Sequence, residues 1–405
     1  MSWRMGWLGR IFDLGVSLAF WAFAFLTPTY AHAQTKAANP DLSVFFNEAM
    51  EAVAVAELEA PEASRVYVLL AITLYDSYHR ARKEPVYFID APKYDSLQVG
   101  NIVSESLMAE RAQTLLAYLF PDQDFNARLN GSRSDLSSVA FVKNLLVALP
   151  KPAEIIQYSE ETGEKLVLPE WAGAPPLELA SADMFRPAGP PGFDNTDFLV
   201  ALQHVQRDGE NISEFRLADA SLSAAFWGNP AGTKTPPGHW NRIALEAIED
   251  LPLERQLDVL LALNIALYDV GIAAWDCKYH FNSIRPHAYI RSHDTENPDW
   301  TAMGTVPLHP EYVSGHSAFS GAAAEILTQF LGQRSFCNIS EEMWNLERCF
   351  SSFSAAAKEA GQSRIYGGLH FDFSNRDGLE LGRDVAKNTL EHLQKKAIIE
   401  LSISK

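Results

Sequence analysis

Three short blocks in the C-terminal half of the chain carry residue types that can handle an anion and move a proton. The first is KYHFNSIRP, from Lys278 to Pro286. Lys278 and Arg285 are seven residues apart and would share a face on one helix. Pro286 disfavours helical geometry at Arg285, which sets that side chain at a helix end. The second block holds Ser314-Gly315-His316 just ahead of the helical stretch SAFSGAAAEIL. A helix start presents unpaired backbone N–H groups and a positive dipole end, a ready anion site. The Ser314 hydroxyl adds a donor, and His316 can give or take a proton near neutral pH. The third block is SRIYGGLH, Ser363 to His370. Arg364 offers a rigid fork of five donors suited to a tetrahedral oxyanion. Gly367 and Gly368 permit a tight turn that lets His370 face the same point.

Each block has an ordinary reading when taken singly. Lys278 and Arg285 could be a solvated basic face, Ser314 or Ser317 a simple helix cap, and His370 a structural histidine. Together they supply three cations, a hydroxyl and a backbone N–H for one oxyanion. Two imidazoles add a nucleophile and a proton carrier.

The elements that must position these blocks read as helices. Apolar residues recur at helical spacing in EASRVYVLLAITLYDSYHRARK, in the long run from Ala244 to Phe281, and in the segment that follows Asp377. Extended alternation is nearly absent. Pro-rich connections such as the stretch from Leu168 to Asn195 keep aromatic residues and read as ordered loops. Leu-Tyr-Asp recurs at Asp76 and Asp269 inside two long apolar helices, which suggests two related helical bundles packed together. The expectation is an all-α chain of two packed bundles: an N-terminal half over 34–218 and a C-terminal half over 219–405 that carries the chemistry.

Composition narrows the partners. The 405 residues are 47% hydrophobic and 21% charged, the balance of a folded enzyme. A formal charge of −18 argues against nucleic acid and anionic membranes, so any bound anion is drawn by a local positive pocket. Arg4 and Arg10 precede the apolar run GVSLAFWAFAFL, and Ala31-His32-Ala33 forms a small-x-small cleavage site. Residues 1–33 read as a signal peptide, with the mature protein exported to the periplasm or beyond. No later run approaches the roughly 20 apolar residues that span a bilayer. Of three cysteines, Cys337 and Cys349 could close a short loop in an oxidising compartment, leaving Cys277 as a buried small hydrophobe.

The order Lys-x6-Arg-Pro, Ser-Gly-His, Ser-Arg-x5-His resembles the vanadium-dependent haloperoxidase and type 2 phosphatidate phosphatase superfamily. The flanks FWGNPAGTKTPPGHWNRIA, GIAAWDCKY and PLHPEYVSGHSAFSGAAAE resemble its secreted bacterial haloperoxidase-like branch, most strongly from Asp219 onward. The resemblance implies an α-helical bundle whose pocket holds vanadate, or a transferred phosphoryl group in the phosphatases. It implies that Lys278, Arg285 and Arg364 neutralise the equatorial oxygens, helped by the Ser314 hydroxyl and the Gly315 N–H. His370 would be the vanadium ligand or the phosphorus nucleophile, and His316 the acid–base group. Trp275 matches an aromatic near the peroxidase pocket. His309 matches a position that tunes halide reactivity. The substrates implied are hydrogen peroxide and a halide, or else a phosphate ester. A non-catalytic oxyanion-binding protein is the third class. Ser374 stands where many members carry an aspartate behind the histidine, and a serine brings no charge to an imidazole. Asp372 or Asp377 could substitute, and Ser374→Asp is expected to strengthen the site. Val313 replaces the usual proline before Ser-Gly-His. Mass spectrometry of the secreted protein should find Gln34 as its first residue; retention of residues 1–20 would indicate an anchored form.

Overall fold

The computed structural model describes residues 41–84, 88, 104–125, 129, 136–158, 163–340 and 346–401. The expected signal peptide and its cleavage site lie outside them. The described chain is helical almost throughout. In order it runs α1 (Leu42–Val55), α2 (Ala60–Ala81), α3 (Ser104–Leu119), α4 (Leu136–Ala148), α5 (Thr196–Asp208), α6 (Ala218–Phe226) and α7 (Thr235–Ile248). It continues with α8 (Leu253–Phe281), α9 (Pro286–His293), α10 (Gly315–Leu331), α11 (Phe353–Tyr366) and α12 (Asp372–Lys395). A small antiparallel hairpin of β1 (Phe336–Ile339) and β2 (Glu347–Phe350) sits between α10 and α11. The sequence pattern did not announce it, because four-residue strands carry too little alternation to register.

The 29-residue α8 is the axle. From Gln256 to Lys278 nearly every side chain is buried, because α2, α7, α10 and α12 pack around it. Contrary to the expectation that no run after the N-terminus is long and apolar enough to cross a membrane, this one is by composition, and its apolar window is wholly buried inside the protein, as a core helix requires. The two Leu-Tyr-Asp echoes do the same work on packed neighbours. Buried Asp269 accepts from the backbone N–H groups of Leu177, Glu178 and Leu179 at 2.7, 2.8 and 3.2 Å. Buried Asp76 accepts from the N–H of Phe88 at 2.7 Å. Each carboxylate thus fixes a loop by satisfying backbone donors that burial would otherwise leave unpaired. The Pro-rich loop is pinned again by Arg186, whose guanidinium makes two bonds of 2.6 and 2.8 Å to Asp276 on α8.

Small residues set how closely α10 and α12 approach. A Cβ at Gly378 would lie 2.8 Å from the carbonyl oxygen of Ser314, and one at Gly382 would lie 2.6 Å from the amide of Ala322. These obstacles are backbone atoms that cannot turn aside. Gly382→Ala is therefore expected to destabilise the protein by roughly 1–3 kcal/mol through overpacking. A lowered denaturant midpoint with unchanged slope would show it; an unchanged midpoint would mean that the helices separate freely.

Candidate active site

The three blocks converge. α8 ends at Phe281, with Asn282 in the left-handed conformation (φ 43°). Arg285 is then the N-cap of α9, extended at φ −79° and ψ 153°. Lys278 and Arg285 are thus not two turns along one helix; a chain reversal brings them together, with Pro286 opening the new helix. Ser314 caps α10, its Oγ accepting from the Ser317 N–H at 3.3 Å, so the plain capping role is real. Gly315 begins α10, with the Trp275 ring against it. At the third block Arg364 lies in the last turn of α11, and Gly368 turns the chain at φ 76°. A side chain at Gly368 would also strike the carbonyl of Gly209, so only glycine brings His370 to the cradle.

The segment from His309 to Val313 binds the blocks to one another. The buried Lys278 ammonium donates to the carbonyls of Pro310, Glu311 and Val313 at 3.0, 3.0 and 2.6 Å. Arg285 donates from Nε to the His309 carbonyl at 3.0 Å and from Nη1 to the Leu369 carbonyl at 2.9 Å. Its Nη2 reaches His309 Nδ1 at 3.0 Å, while its contacts to His370 Nε2 (3.4 Å) and the Pro310 carbonyl (3.5 Å) are long. Trp275 packs on His309 with centroids 5.0 Å apart and lies 5.8 Å from Lys278 Nζ, so both belong to the pocket wall. A cleft of roughly 960 Å³ opens against Arg285 and His309, with Ser283 and His287 also in its lining.

Sequence reasoning missed Glu311. Its Oε1 lies 2.8 Å from His370 Nδ1 and accepts from the Phe371 N–H at 3.1 Å. Arg285, which can only donate, approaches Nε2, so His370 keeps Nε2 as a lone pair and carries its proton on Nδ1, toward Glu311. This corrects the expectations for the position behind the histidine. Asp372 pairs with His204 at 3.1 Å, and Asp377 accepts from the Tyr312 hydroxyl at 2.7 Å; neither supports His370. Ser374 is buried beside Glu311 and offsets a small part of the rise that burial gives its carboxyl. A second carboxylate there would face Glu311, so Ser374→Asp is now expected to weaken the site. The signal was present in the sequence: an acid three residues before Ser-Gly-His, in a segment otherwise made for burial.

His316 is partly exposed, and its Nε2 lies 2.9 Å from the Gly228 carbonyl. A carbonyl only accepts, so Nε2 holds the proton and Nδ1 is the basic nitrogen. Arg364 donates to the neighbouring Trp227 carbonyl at 3.3 Å. The electrostatics agree across the pocket. Burial, then nearby cations, hold His309, His316 and His370 well below the usual imidazole range. Burial, then Arg285, holds Lys278 well below the usual amine range. Arg285 is lowered to about 10 by burial, with Glu311 pulling the other way. Burial pushes Glu311 up, against Lys278 and Arg285. Among the described residues no cluster of three or more His, Cys, Asp or Glu is placed to hold a metal cation. The arrangement suits an oxyanion beside one nucleophilic nitrogen and one proton carrier. Cys277 takes no part: it is buried, and burial pushes its thiol up to about 12.

Comparison with known proteins points the same way. Residues 258–397 match the family model of the VCPO second helical-bundle domain, which includes all three blocks. The solved structure of a bacterial vanadium-dependent iodoperoxidase superposes with a TM-score of 0.71 at 24% identity, over 87% of this chain and 95% of that one. The holo form of a bacterial vanadium-dependent chloroperoxidase gives 0.65 at 15% identity, over 90% and 97%. Likenesses at these identities establish a shared all-helical fold. No curated protein matches the sequence.

Glu311→Ala removes the carboxylate that Lys278 and Arg285 share, leaving two buried cations without it. A loss of about 3–5 kcal/mol is expected, and added phosphate or vanadate should restore part of it by replacing the negative charge. Thermal unfolding with and without each anion checks this; equal destabilisation in both conditions would contradict it.

Proposed function

We propose that this chain, a member of the vanadium haloperoxidase superfamily through residues 258–397, is an exported vanadate-dependent haloperoxidase that oxidises a halide with hydrogen peroxide. The observation that carries the reading is the meeting of buried Lys278 and Arg285 with His370, whose Nδ1 is held by Glu311 so that Nε2 keeps its lone pair. Burying these cations together is tolerable when an anion shares the space.

The residues present fit vanadate. His370 Nε2 offers a lone pair of fixed direction, because Glu311 holds Nδ1–H. Among the described residues the buried Trp275 Nε1, a donor, has no hydrogen-bond partner, as expected for a group that borders an unmet anion. Arg285 would donate through the two N–H groups whose present contacts are longest, and Arg364 through its fork. Ser314 and the Gly315 N–H lie at the α10 start, where the dipole favours negative charge. Lys278 acts through its charge and by tying down the 310–313 backbone, since three carbonyls there accept its hydrogen bonds.

Vanadate, when bound, supplies a Lewis acid that activates peroxide for two-electron oxidation of halide. The chain's residues do the rest. His316 Nδ1 takes a proton from the incoming peroxide and can return one to the departing oxygen. Glu311 keeps His370 from rotating or taking the other tautomer. His309 lines the cleft where it meets Arg285, with Trp275 packed behind its ring, and would set what reaches the cradle from that side. A phosphomonoesterase would use the same atoms, with His370 Nε2 attacking phosphorus and His316 protonating the leaving alcohol.

Purified protein with and without vanadate should brominate a dye in peroxide and bromide only when vanadate is present. Turnover of a chromogenic phosphate ester, inhibited by vanadate, would instead establish the phosphatase. His370→Ala should lose vanadate affinity and activity together, while His316→Ala should still bind vanadate and lose roughly 10²–10⁴ in rate. Equal loss of binding in both variants would contradict these roles.

A bound anion also raises the pKa of the cations and imidazoles around it, so binding must take up protons. Groups whose pKa rises on binding favour the complex at low pH, and the advantage disappears as pH rises through the bound-state values. Sulfate, which does not titrate in this range, should therefore bind with net proton uptake in calorimetry across buffers of different ionisation enthalpy. Net proton release would overturn the electrostatic account.

A further inference from the structure

The β-hairpin lies outside the cradle, yet both its strands reach the turn at Trp227, Gly228 and Asn229. From β1, buried Asn338 connects through His239. The Asn338 amide donates from Nδ2 to Glu246 at 2.9 Å, which fixes its orientation because only the NH2 end can donate to a carboxylate. Its Oδ1 must then accept from His239 Nε2 at 2.9 Å. That leaves His239 Nδ1 to accept from the Asn229 amide, also at 2.9 Å. The chain is polarised in one direction from end to end, so each bond strengthens the next. From β2, Arg348 holds Glu359 at 2.7 Å, and Glu359 accepts from Trp227 Nε1 at 3.1 Å. Phe350 packs on Trp227 with centroids 5.7 Å apart, and His239 stacks on its ring at 4.8 Å. The Cys337–Cys349 disulfide joins directly opposed residues and clips the two strands together beside Asn338 and Arg348.

The turn so fixed is the one whose carbonyls hold His316 and Arg364. We propose that the disulfide-clipped hairpin, acting through Asn338, His239 and Asn229, positions His316 by fixing the Gly228 carbonyl that sets its tautomer. Reduction of Cys337–Cys349 relaxes it. The catalytic consequence rests on the acid–base role given to His316 above. His239 is a positioning residue, and its chemistry is that of a one-way relay: a donor at Nε2 and an acceptor at Nδ1. Glutamine can reproduce that pair, whereas phenylalanine keeps the stacking on Trp227 and removes both bonds.

The test uses the full chain as His239→Phe and His239→Gln. Long-range proton–nitrogen imidazole NMR, with histidine labelled, reads the His316 tautomer without any turnover. The wild type and His239→Gln should show the proton on Nε2, and His239→Phe a mixture. With vanadate and bromide, His239→Phe should lose more than about tenfold in kcat with vanadate affinity nearly unchanged, and His239→Gln should recover most of it. Dithiothreitol, oxidised to its cyclic disulfide as the protein disulfide takes up two electrons and two protons to give two thiols, should reproduce the His239→Phe spectrum. A folded His239→Phe protein with the wild-type tautomer overturns the inference, and so does an equal fall in kcat and vanadate affinity. A changed tautomer in a protein without peroxidase or phosphatase turnover supports the positioning and removes the function proposed above.

Discussion

Glu311 is the contact on which the rest of the site depends. Its carboxylate orients His370, its backbone carbonyl accepts a hydrogen bond from Lys278, and its charge is shared by Lys278 and Arg285. Burying an ion costs several kcal/mol even after relaxation, so a pocket of this kind persists only if the fold holds its members rigidly together. The fold does so by converting side-chain charge into backbone anchoring. Lys278 and Arg285 spend most of their donors on the carbonyls of residues 309–313, the segment that delivers Glu311 and Ser314. The cations therefore build the wall of the pocket as well as its potential.

The same economy explains the glycines and alanines of α10 and α12. Ser317 Oγ lies 2.9 Å from Ser314 Oγ and 2.6 Å from Asn375 Oδ1, linking the α10 start to α12 through a hydroxyl with one proton to give. Such short links require the two helix axes to be close. Gly378 and Gly382 permit that approach, with the Ser314 carbonyl itself among the atoms they accommodate. Packing and polar chemistry are here one constraint: widening the helix pair would break the hydroxyl chain before it exposed much apolar surface.

Much of this was legible in the chain alone, and the reasons are physical. A helical period survives averaging over 22- or 29-residue elements, so α2 and α8 were evident. Donor-rich blocks stand out in an acidic protein: Lys278, Arg285 and His370 meet around the 309–313 segment that leads into Ser314 and Gly315, and His316 and Arg364 meet at the 227–228 carbonyls. What escaped depended on where the chain turns. Reading Lys278 and Arg285 as one helical face ignored the left-handed Asn282 that ends α8. Looking for the histidine's partner after His370 ignored that a carboxylate can arrive from a different segment. Sequence offset encodes only contacts made along one element; Glu311 and His370 are 59 residues apart.

The choice between peroxidase and phosphatase chemistry lies in the surroundings of the proton carrier more than in the cradle. Both reactions need His370 Nε2 free and His316 Nδ1 basic. They differ in what approaches: a small peroxide and a halide, or a bulky ester. His316 and Arg364 are held at the Gly228 and Trp227 carbonyls, whereas the large cleft meets the site at Arg285 and His309, on the side of the first block. A phosphate ester has to place its ester oxygen near His316 and its phosphorus in line with His370 Nε2. The turn at 227–229 is packed and bonded from both strands of the hairpin, and its Gly228 carbonyl accepts from His316 Nε2, so either reaction would draw its proton transfer through Nδ1.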